Sequence, residues 1–440
     1  MKNVLFITYY FPPSGGSGVQ RPLKFVKYLP EFGWNVTVLT VDPENAAYSD
    51  VDRQLGADVS KQTKVIRTKS WDPYSAYARL MGKSKKDAVG VGFLGAEHAS
   101  AKEKFARWVR ANVFLPDARV GWVRYAKKAG IKLLKSGHYD AIVSTGPPHS
   151  CHLVGAFLSQ KFDIPWVADI RDAWPDMAYA DMLPTSDWAR KRDTDLRDKT
   201  LRKSHVRIAV TEDLRQTMQR EVGLPFDLVR NGYDPADFEG LDPVSSTEFT
   251  LVHTGTMAPA RNPLPIWHLL ASKASKKRWS EMKLMFVGNV DSTVFEAARK
   301  AEATHLLEHV DYVPHKTAIR YTLGASLLLL PINRVSDAAG IVTGKIYEYI
   351  ASGRPILGLG DPNGEAAAIL NETGAGRMFD YDDVDAIGAF IDQHYAAWIS
   401  GRPMEGADIK RAAAYSRRTQ TQELAALLHS VSNPPGEVNS

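Results

Sequence analysis

The sequence predicts an α/β protein made of two doubly wound, Rossmann-like domains facing across a cleft. Three observations carry this. The chain has 440 residues, too many for one ordinary domain and suited to two. A β-α-β pattern opens at its first residues. A second alternation of apolar runs and helical patterns starts at Phe249, and successive β-then-α runs imply open, mostly parallel sheets.

In the first half, Val4–Tyr9 is a nearly continuous apolar run, as expected for a strand covered on both faces. A glycine-rich turn follows at Gly15, Gly16 and Gly18. Pro22 is expected in the first turn of the next helix, where its missing N–H costs little. Leu23, Val26 and Leu29 give that helix an apolar face, and Gly33 is placed to end it. Val36–Thr40, Asp140–Ser144, Trp166–Asp169 and Val206–Val210 are further strands. Thr211 is the expected N-cap of a helix with Glu212 and Asp213 in its first turn and Gly223 at its end.

Strands of the second half are expected at Phe249–Thr254, Lys283–Val287, Ser326–Pro331 and Pro355–Leu359. The polar stretch Asp234–Glu248 reads as the linker. This sets domains at 1–238 and 239–404, with a helix at about 405–432 packing back on the first domain. The basic, glycine-dotted segment Met81–Arg110 fits neither pattern and reads as an insertion. Ser432–Ser440 reads as a disordered end.

Composition narrows the function classes. Hydrophobic residues at 44% and charged residues at 24% fit a water-soluble globular protein. The formal charge of +5 permits an anionic ligand or an anionic membrane surface without demanding either. The lone cysteine, Cys151, excludes an internal disulfide and a thiolate zinc site, so a cytoplasmic setting is expected. No apolar run approaches the ~20 residues of a membrane span, and Pro12 and Pro13 interrupt the apolar N-terminus too early for a signal peptide. The charge is spread and no aromatic–basic sheet motif occurs, so nucleic acid is not an expected partner.

Four segments carry candidate chemistry. The loop holding Gly15 and Gly16 joins a strand to a helix, where backbone N–H groups can meet a phosphate. It lacks the G-x-G-x-x-G spacing of a dinucleotide site, and a simple tight turn fits it too. In the segment GIVTGKIYEYIASGRPIL, Thr343 is a plausible N-cap, and Thr343, Gly344 and Lys345 form a helix N-terminus suited to a diphosphate. Ile346 and Ile350 make the buried face of that helix, and Glu348 is free to accept from a ribose diol or to pair with Lys345 on the surface. In VHTGTMAPARNP, Arg261 can grip phosphate oxygens or remain a solvated loop arginine. The segments STGPPHSCH and ADIRDAW end strands, where open α/β sheets place ligands. His149 and His152 are candidate proton handlers there, and Asp169, Arg171 and Asp172 are candidate acceptor or base groups, or one structural ion network. No metal-site motif, nucleophile elbow or P-loop is present.

These segments occur in the order of a known family. The chain resembles the family 4 retaining glycosyltransferases of the GT-B fold over nearly its whole length. YYFPPSGG from Tyr9 is similar to that family's first loop. VTED from Val210 and RNGYD from Arg230 are similar to its strand-end signatures, and VDYVPH from Val310 with Ala325–Pro331 to its late strands. GKIYEYIASGRPI from Gly344, with FLPD from Phe114 and Trp122, resembles a subgroup of bacterial surface-polysaccharide assembly.

The resemblance implies a nucleoside-diphosphate sugar as co-substrate, no further cofactor and no metal, and a glycan or lipid-linked acceptor. It implies a donor site of Gly15, Gly16, Arg261, Thr343, Gly344, Lys345 and Glu348. Glu348 matches the second Glu of the family's E-x7-E, Arg261 takes the place of its phosphate-binding lysine, and Asp172 falls near its His-Asp pair. Acceptor contacts are expected at Asp169 and Arg171, and catalytic groups at Asp172, His149 and His152. Two positions depart from the pattern: Gly340 stands where the first Glu belongs, and Thr256 where an arginine belongs. A nucleotide-sugar epimerase using Glu212 and Asp213, or a non-catalytic binder, are the other readings. The implied location is the cytoplasm, peripheral on the inner membrane face, with the Met81–Arg110 segment on anionic head groups.

Overall fold

The structure is a computed structural model. It describes residues 1–46, 48, 50–71, 101–175, 184–271, 279–335, 338–402 and 406–433, with the side chains of 101–106 left aside. Most of the expected basic insertion, 81–100, lies outside the described residues, as do 434–440. The chain divides into two compact units, Met1–Arg230 with Gln420–Ser440, and Asn231–Thr419.

The first unit holds a seven-stranded sheet in the order β3-β2-β1-β4-β5-β6-β7. Its strands are β1 (Lys2–Ile7), β2 (Trp34–Val41), β3 (Lys64–Thr68), β4 (Ala141–Gly146), β5 (Trp166–Ile170), β6 (Val206–Ala209) and β7 (Asp227–Leu228). All pairings are parallel. The alternation of side chains along β1 builds two cores. Leu5 and Ile7 join the helices Val123–Ser136 and Ser150–Phe162 on one face, and Val4 and Phe6 join the helices Ser17–Tyr28 and Arg417–Ser432 on the other. The last of these helices ties the end of the chain to its start. His429 packs at a tilt against Trp34 with centroids 5.1 Å apart, and Lys2 Nζ donates to Ser432 Oγ at 2.7 Å.

The second unit holds a six-stranded parallel sheet in the order β10-β9-β8-β11-β12-β13. The strands are β8 (Phe249–Thr254), β9 (Met282–Val287), β10 (Leu307–Val310), β11 (Leu327–Pro331), β12 (Ile356–Leu359) and β13 (Gly376–Phe379). Leu327 and Leu329 face one core and Leu328 and Leu330 the other. Both units are thus Rossmann-like and doubly wound, and in both sheets the strand order reverses beside the first strand.

Two expectations need correction. Pro22 sits inside the helix Ser17–Tyr28, beyond its first turn. The carbonyl of Gly18, which Pro22 cannot reach with an N–H, accepts from Arg171 instead. The segment VDYVPH does not continue as a strand: β10 stops at Val310, and a helix starts at His315. The strands β3, β7, β10 and β13 are short or half-exposed and carry little apolar periodicity. Other local signals hold: the Thr211 hydroxyl accepts from Leu214 N–H at the helix start, and Gly223 ends that helix in the left-handed region.

Candidate functional site

In the first unit, a cavity of about 990 Å³ opens at the C-terminal ends of β1 and β4, the switch point of the sheet. Gly15, Gly16 and Gly18 line one side, and Pro147, His149 and Asp172 another. Gly16 adopts φ +79°, which a side chain would strain, and starts the helix Ser17–Tyr28. Asp172 is exposed to the cavity, and the protein around it raises its carboxyl above the usual range, with Arg171 opposing.

Asp169 is placed differently from the acceptor contact expected of it. It is fully buried, and both oxygens accept from Arg21 at 2.8–3.2 Å, with Thr145 adding a bond at 2.7 Å. Its role is to fix Arg21, whose guanidinium also donates to the Val229 and Arg230 carbonyls. Arg171 donates to the carbonyls of Gly18, Gly146 and Pro147, so it braces the loops around the cavity. Asp169, Arg171 and Asp172 therefore do not form one mutual ion network.

The two histidines are stacked on Trp174, His149 at 4.9 Å and His152 at 5.8 Å between centroids. His149 is on the cavity wall, whereas His152 is fully buried behind it. Trp166 Nε1 donates to Ser144 Oγ at 2.8 Å, and Ser144 Oγ lies 2.8 Å from His152 Nδ1. An indole can only donate, so Ser144 Oγ accepts from Trp166 and ties it to His152 Nδ1. His149 Nε2 faces the Ala173 carbonyl at 3.2 Å, which leaves Nδ1 as a bare acceptor. Among the described residues, His149 Nδ1 and His152 Nε2 have no hydrogen-bond partner. Burial keeps both rings neutral: it pushes His152 down to about 3 and His149 well below the ordinary value, where His152 adds a smaller push.

Sequence reasoning missed other groups on this wall. Asp193 accepts from Trp174 Nε1 at 2.9 Å, and burial raises its carboxyl to about 6. Asp117 lies within the quoted FLPD but was assigned no role; its carboxylate accepts from the Ser150 N–H and hydroxyl, both at 2.8 Å. Arg190 and Arg197 come from a charge-rich helix, Asp187–Leu201, whose pattern reads as a solvated face.

In the second unit the equivalent switch point lies between β8 and β11. β8 runs into Gly255, held at φ +97°. A Cβ placed there would lie 2.5 Å from Lys345 Cε and 2.6 Å from its Nζ, so the lysine lies directly over the glycine. Burial lowers the pKa of Lys345, Glu348 opposes that shift and Arg261 reinforces it. Arg261 Nε donates to Asn333 Oδ1 at 2.5 Å, which fixes the guanidinium beside the loop after β11.

Lys345 is in the first turn of the helix Gly344–Ala351. Ile346 and Ile350 bury its inner face, at about 1.5–3 kcal/mol each, so its N-terminus is firmly aimed. Thr343 is the N-cap residue but its hydroxyl makes no cap bond, and among the described residues the buried Oγ1 has no partner. Two cations and an uncapped helix N-terminus therefore converge, an arrangement suited to a diphosphate. Glu348 accepts from His315 Nε2 at 2.8 Å, in place of the surface pair with Lys345. His253, behind the cluster on β8, is held neutral at about 3 by burial first and by Lys345 next. Neither His315 nor Asn333 carried a signal in the sequence, because each acts through a neighbour distant along the chain.

Comparison with known proteins agrees with this architecture. Residues 15–232 match the family described as the glycosyl transferase 4-like domain. Sucrose-phosphate synthase from Thermosynechococcus elongatus is 14% identical, covers 98% of this chain and 99% of its own, and superposes with a TM-score of 0.62. A glycosyltransferase from Rickettsia africae is 10% identical over 98% and 99%, with a TM-score of 0.61. HepE of Anabaena, solved with UDP and glucose, is 13% identical over 98% and 100%, with a TM-score of 0.58. At these identities the likeness is one of fold. No curated protein matches the sequence significantly.

Proposed function

Because the chain belongs, through residues 15–232, to the family of glycosyl transferase 4-like domains, we propose that it moves a sugar from a nucleoside-diphosphate sugar to a glycan or lipid-linked acceptor. The reading extends to retention at the anomeric carbon, independence of a metal ion, and a role in cell-surface polysaccharide assembly from the cytoplasmic side of a membrane. The observation that carries it is the convergence of Arg261, Lys345 and the uncapped helix N-terminus at the end of β8. HepE of Anabaena, similar in fold, was also solved with UDP-glucose, which supports a donor of this class.

The roles follow from charge and reach. Lys345, Arg261 and the N–H groups after Thr343 hold the diphosphate, and Glu348, steadied by His315, accepts from the ribose hydroxyls. In the transfer step the bond from the anomeric carbon to the diphosphate oxygen breaks, and its electron pair leaves with the diphosphate. A bond forms from the acceptor oxygen to the same carbon, and the acceptor proton passes to a leaving phosphate oxygen. The two cations supply charge where it develops. In the first unit, Gly15 and Gly16 line the cavity in which Asp172 and His149 face the acceptor, with His152 positioning His149 through the shared stack on Trp174.

The epimerase reading loses one of its two acids, Glu212. Glu212 is bonded to Arg215 and Gln216, and the Arg215 bond first of all pulls its carboxyl down to about 2, so it holds no proton to give. The test is a thermal-shift panel of nucleoside diphosphates and their sugars on wild type and Glu348→Ala. At a hundred-fold excess over Kd, a ligand adds about 2.7 kcal/mol. One nucleotide family should stabilise wild type and lose most of that effect in the variant. Folded protein that responds to none of them would sink the proposal.

A further inference from the structure

The helix Asp187–Leu201 supplies Ala189, Arg190, Asp193 and Arg197 to the lining of the cavity in the first unit. Arg197 is engaged within the protein: it donates to the Trp174 carbonyl and pairs with Asp198 and Glu221. Arg190 and Asp193 differ from it. Among the described residues, the Arg190 guanidinium has no hydrogen bond and no ion pair, and its Nε is buried without a partner. Asp193 accepts from Trp174 Nε1 through Oδ1 at 2.9 Å, and among the described residues nothing donates to its Oδ2.

Residues three apart on a helix are neighbours, so Arg190 and Asp193 stand side by side without pairing. The indole of Trp174 holds one oxygen of the Asp193 carboxylate, and its stack on His149 and His152 fixes the indole in turn. A guanidinium with no acceptor therefore lies next to a carboxylate oxygen with no donor, both on one cavity wall. Unmatched polar groups cost stability when closed off from water. A ligand that donates and accepts at once satisfies the two together.

The chemistry of the pair selects that ligand. A phosphate or carboxylate only accepts, so it would answer Arg190 and be repelled at Asp193. Burial raises the Asp193 carboxyl to about 6, so above that pH it is ionised and accepts. The cavity as a whole is no anion site either, because its lining holds five carboxylic side chains against four arginines. An ammonium group has the opposite fault, since it only donates. A hydroxyl does both, and two adjacent hydroxyls on a sugar ring can accept from one neighbour and donate to the other. Tyr10 and Phe114, both partly buried, add ring faces to the same lining, against which the C–H face of a sugar can pack.

We infer that Arg190 and Asp193 are specificity-determining residues that read two adjacent hydroxyls of a neutral sugar, Arg190 donating to one oxygen and Asp193 Oδ2 accepting from the other. This rests on the glycosyl-transfer reading in taking the cavity as the acceptor's, and it makes a neutral sugar the end of the acceptor that enters. Trp174 then links the contact to His149, because it bonds to Asp193 and stacks on that histidine.

The experiment is a ligand-observed NMR titration of the full chain with methyl hexosides and with their deoxy forms lacking one ring hydroxyl. Inorganic phosphate is the competitor, and the pH is about 8, where Asp193 is ionised. Wild type should bind at least one hexoside, and a deoxy form of it more than about tenfold more weakly. Phosphate should not displace it. Asp193→Asn keeps an oxygen for Trp174 Nε1 and puts an amide donor where Oδ2 stood. It should fold and bind the hexoside more than about tenfold more weakly. Arg190→Gln should do the same, and Arg190→Lys should recover part of the affinity. Thermal melts establish that each variant is folded. No hexoside bound by folded wild type, displacement by phosphate, or wild-type affinity in both Asp193→Asn and Arg190→Gln would each overturn the inference. The nucleotide shift measured on the same preparations separates the two proposals. A shift with no hexoside bound keeps the enzymatic reading and removes this inference, whereas hexoside binding with no shift removes the enzymatic reading and leaves the sugar contact standing.

Discussion

Arg171 Nη1 donates to the Gly18 carbonyl at 2.7 Å, the group four residues before Pro22. The proline removes the helical donor, and the arginine of a distant loop replaces it. The bond therefore joins the glycine-rich loop after β1 to the loop after β5.

This pairing can be measured by a double-mutant cycle. Arg171→Leu should cost about 1–3 kcal/mol by orphaning buried carbonyls. In a Pro22→Ala background it should cost less, because the restored N–H reaches Gly18. Urea unfolding of the four proteins gives the coupling, expected above about 0.5 kcal/mol. Strict additivity would refute the substitution of one donor for the other.

Gly255→Ala should separate folding from ligand binding. The new methyl meets Lys345 Cε and Nζ at 2.5 and 2.6 Å, and the φ of +97° adds strain of about 1 kcal/mol or more. The flexible lysine is the part able to yield. The variant should fold and lose nucleotide affinity by about tenfold or more, close to the effect of Lys345→Ala. Calorimetric titration with the nucleotide found in the panel reads this directly, and wild-type affinity would show that Lys345 does not hold the phosphates.

Asp193 should make stability depend on pH in a defined direction. Its folded carboxyl is raised from 3.8 to about 6, mainly by burial. The folded state then holds a proton that the unfolded state has lost, so this group's contribution falls as pH rises from about 4 to about 6. Asp193→Asn keeps an acceptor for Trp174 and removes the term. The variant should gain on wild type as pH rises through that window, by up to about 3 kcal/mol, and by a constant amount above it. Parallel stability curves would show that the carboxyl is not raised.

Asp169→Asn should destabilise the first unit by about 3–5 kcal/mol, since Arg21 would keep a buried charge without its carboxylate. Arg21→Met with Asp169→Leu should recover part of that loss. Thermal melts check both, and a single variant as stable as wild type would show that the Arg21 guanidinium is already satisfied by the carbonyls of Val229 and Arg230.

The buried strands were the legible part of this fold. Val4–Ile7 and Phe249–Thr254 are buried at every position because both faces of a parallel sheet are covered, and the apolar residues that dominate them show it. The edge strand Lys64–Thr68 has one side in water and left no such trace. For the candidate site, the placement of Lys345 and Glu348 on a short helix before a buried strand was readable. His315, 33 residues earlier than Glu348, was not, because a partner chosen by topology leaves no local spacing. Asp169 illustrates the opposite error. Its position at a strand end is where ligands bind, yet the side chain turns inward to Arg21, and only packing decides between the two directions.

The return of residues 420–433 to the first unit has a consequence for synthesis. The second unit is one uninterrupted stretch, so it can finish folding on the ribosome while the first still lacks a wall. The surface of β1 that receives Leu424, Ala425 and Leu428 stays bare until those residues emerge. A nascent chain of this protein therefore carries an open apolar sheet face for almost the whole of its translation, and a stop codon placed just before Gln420 would leave that face permanently exposed to chaperones and proteases.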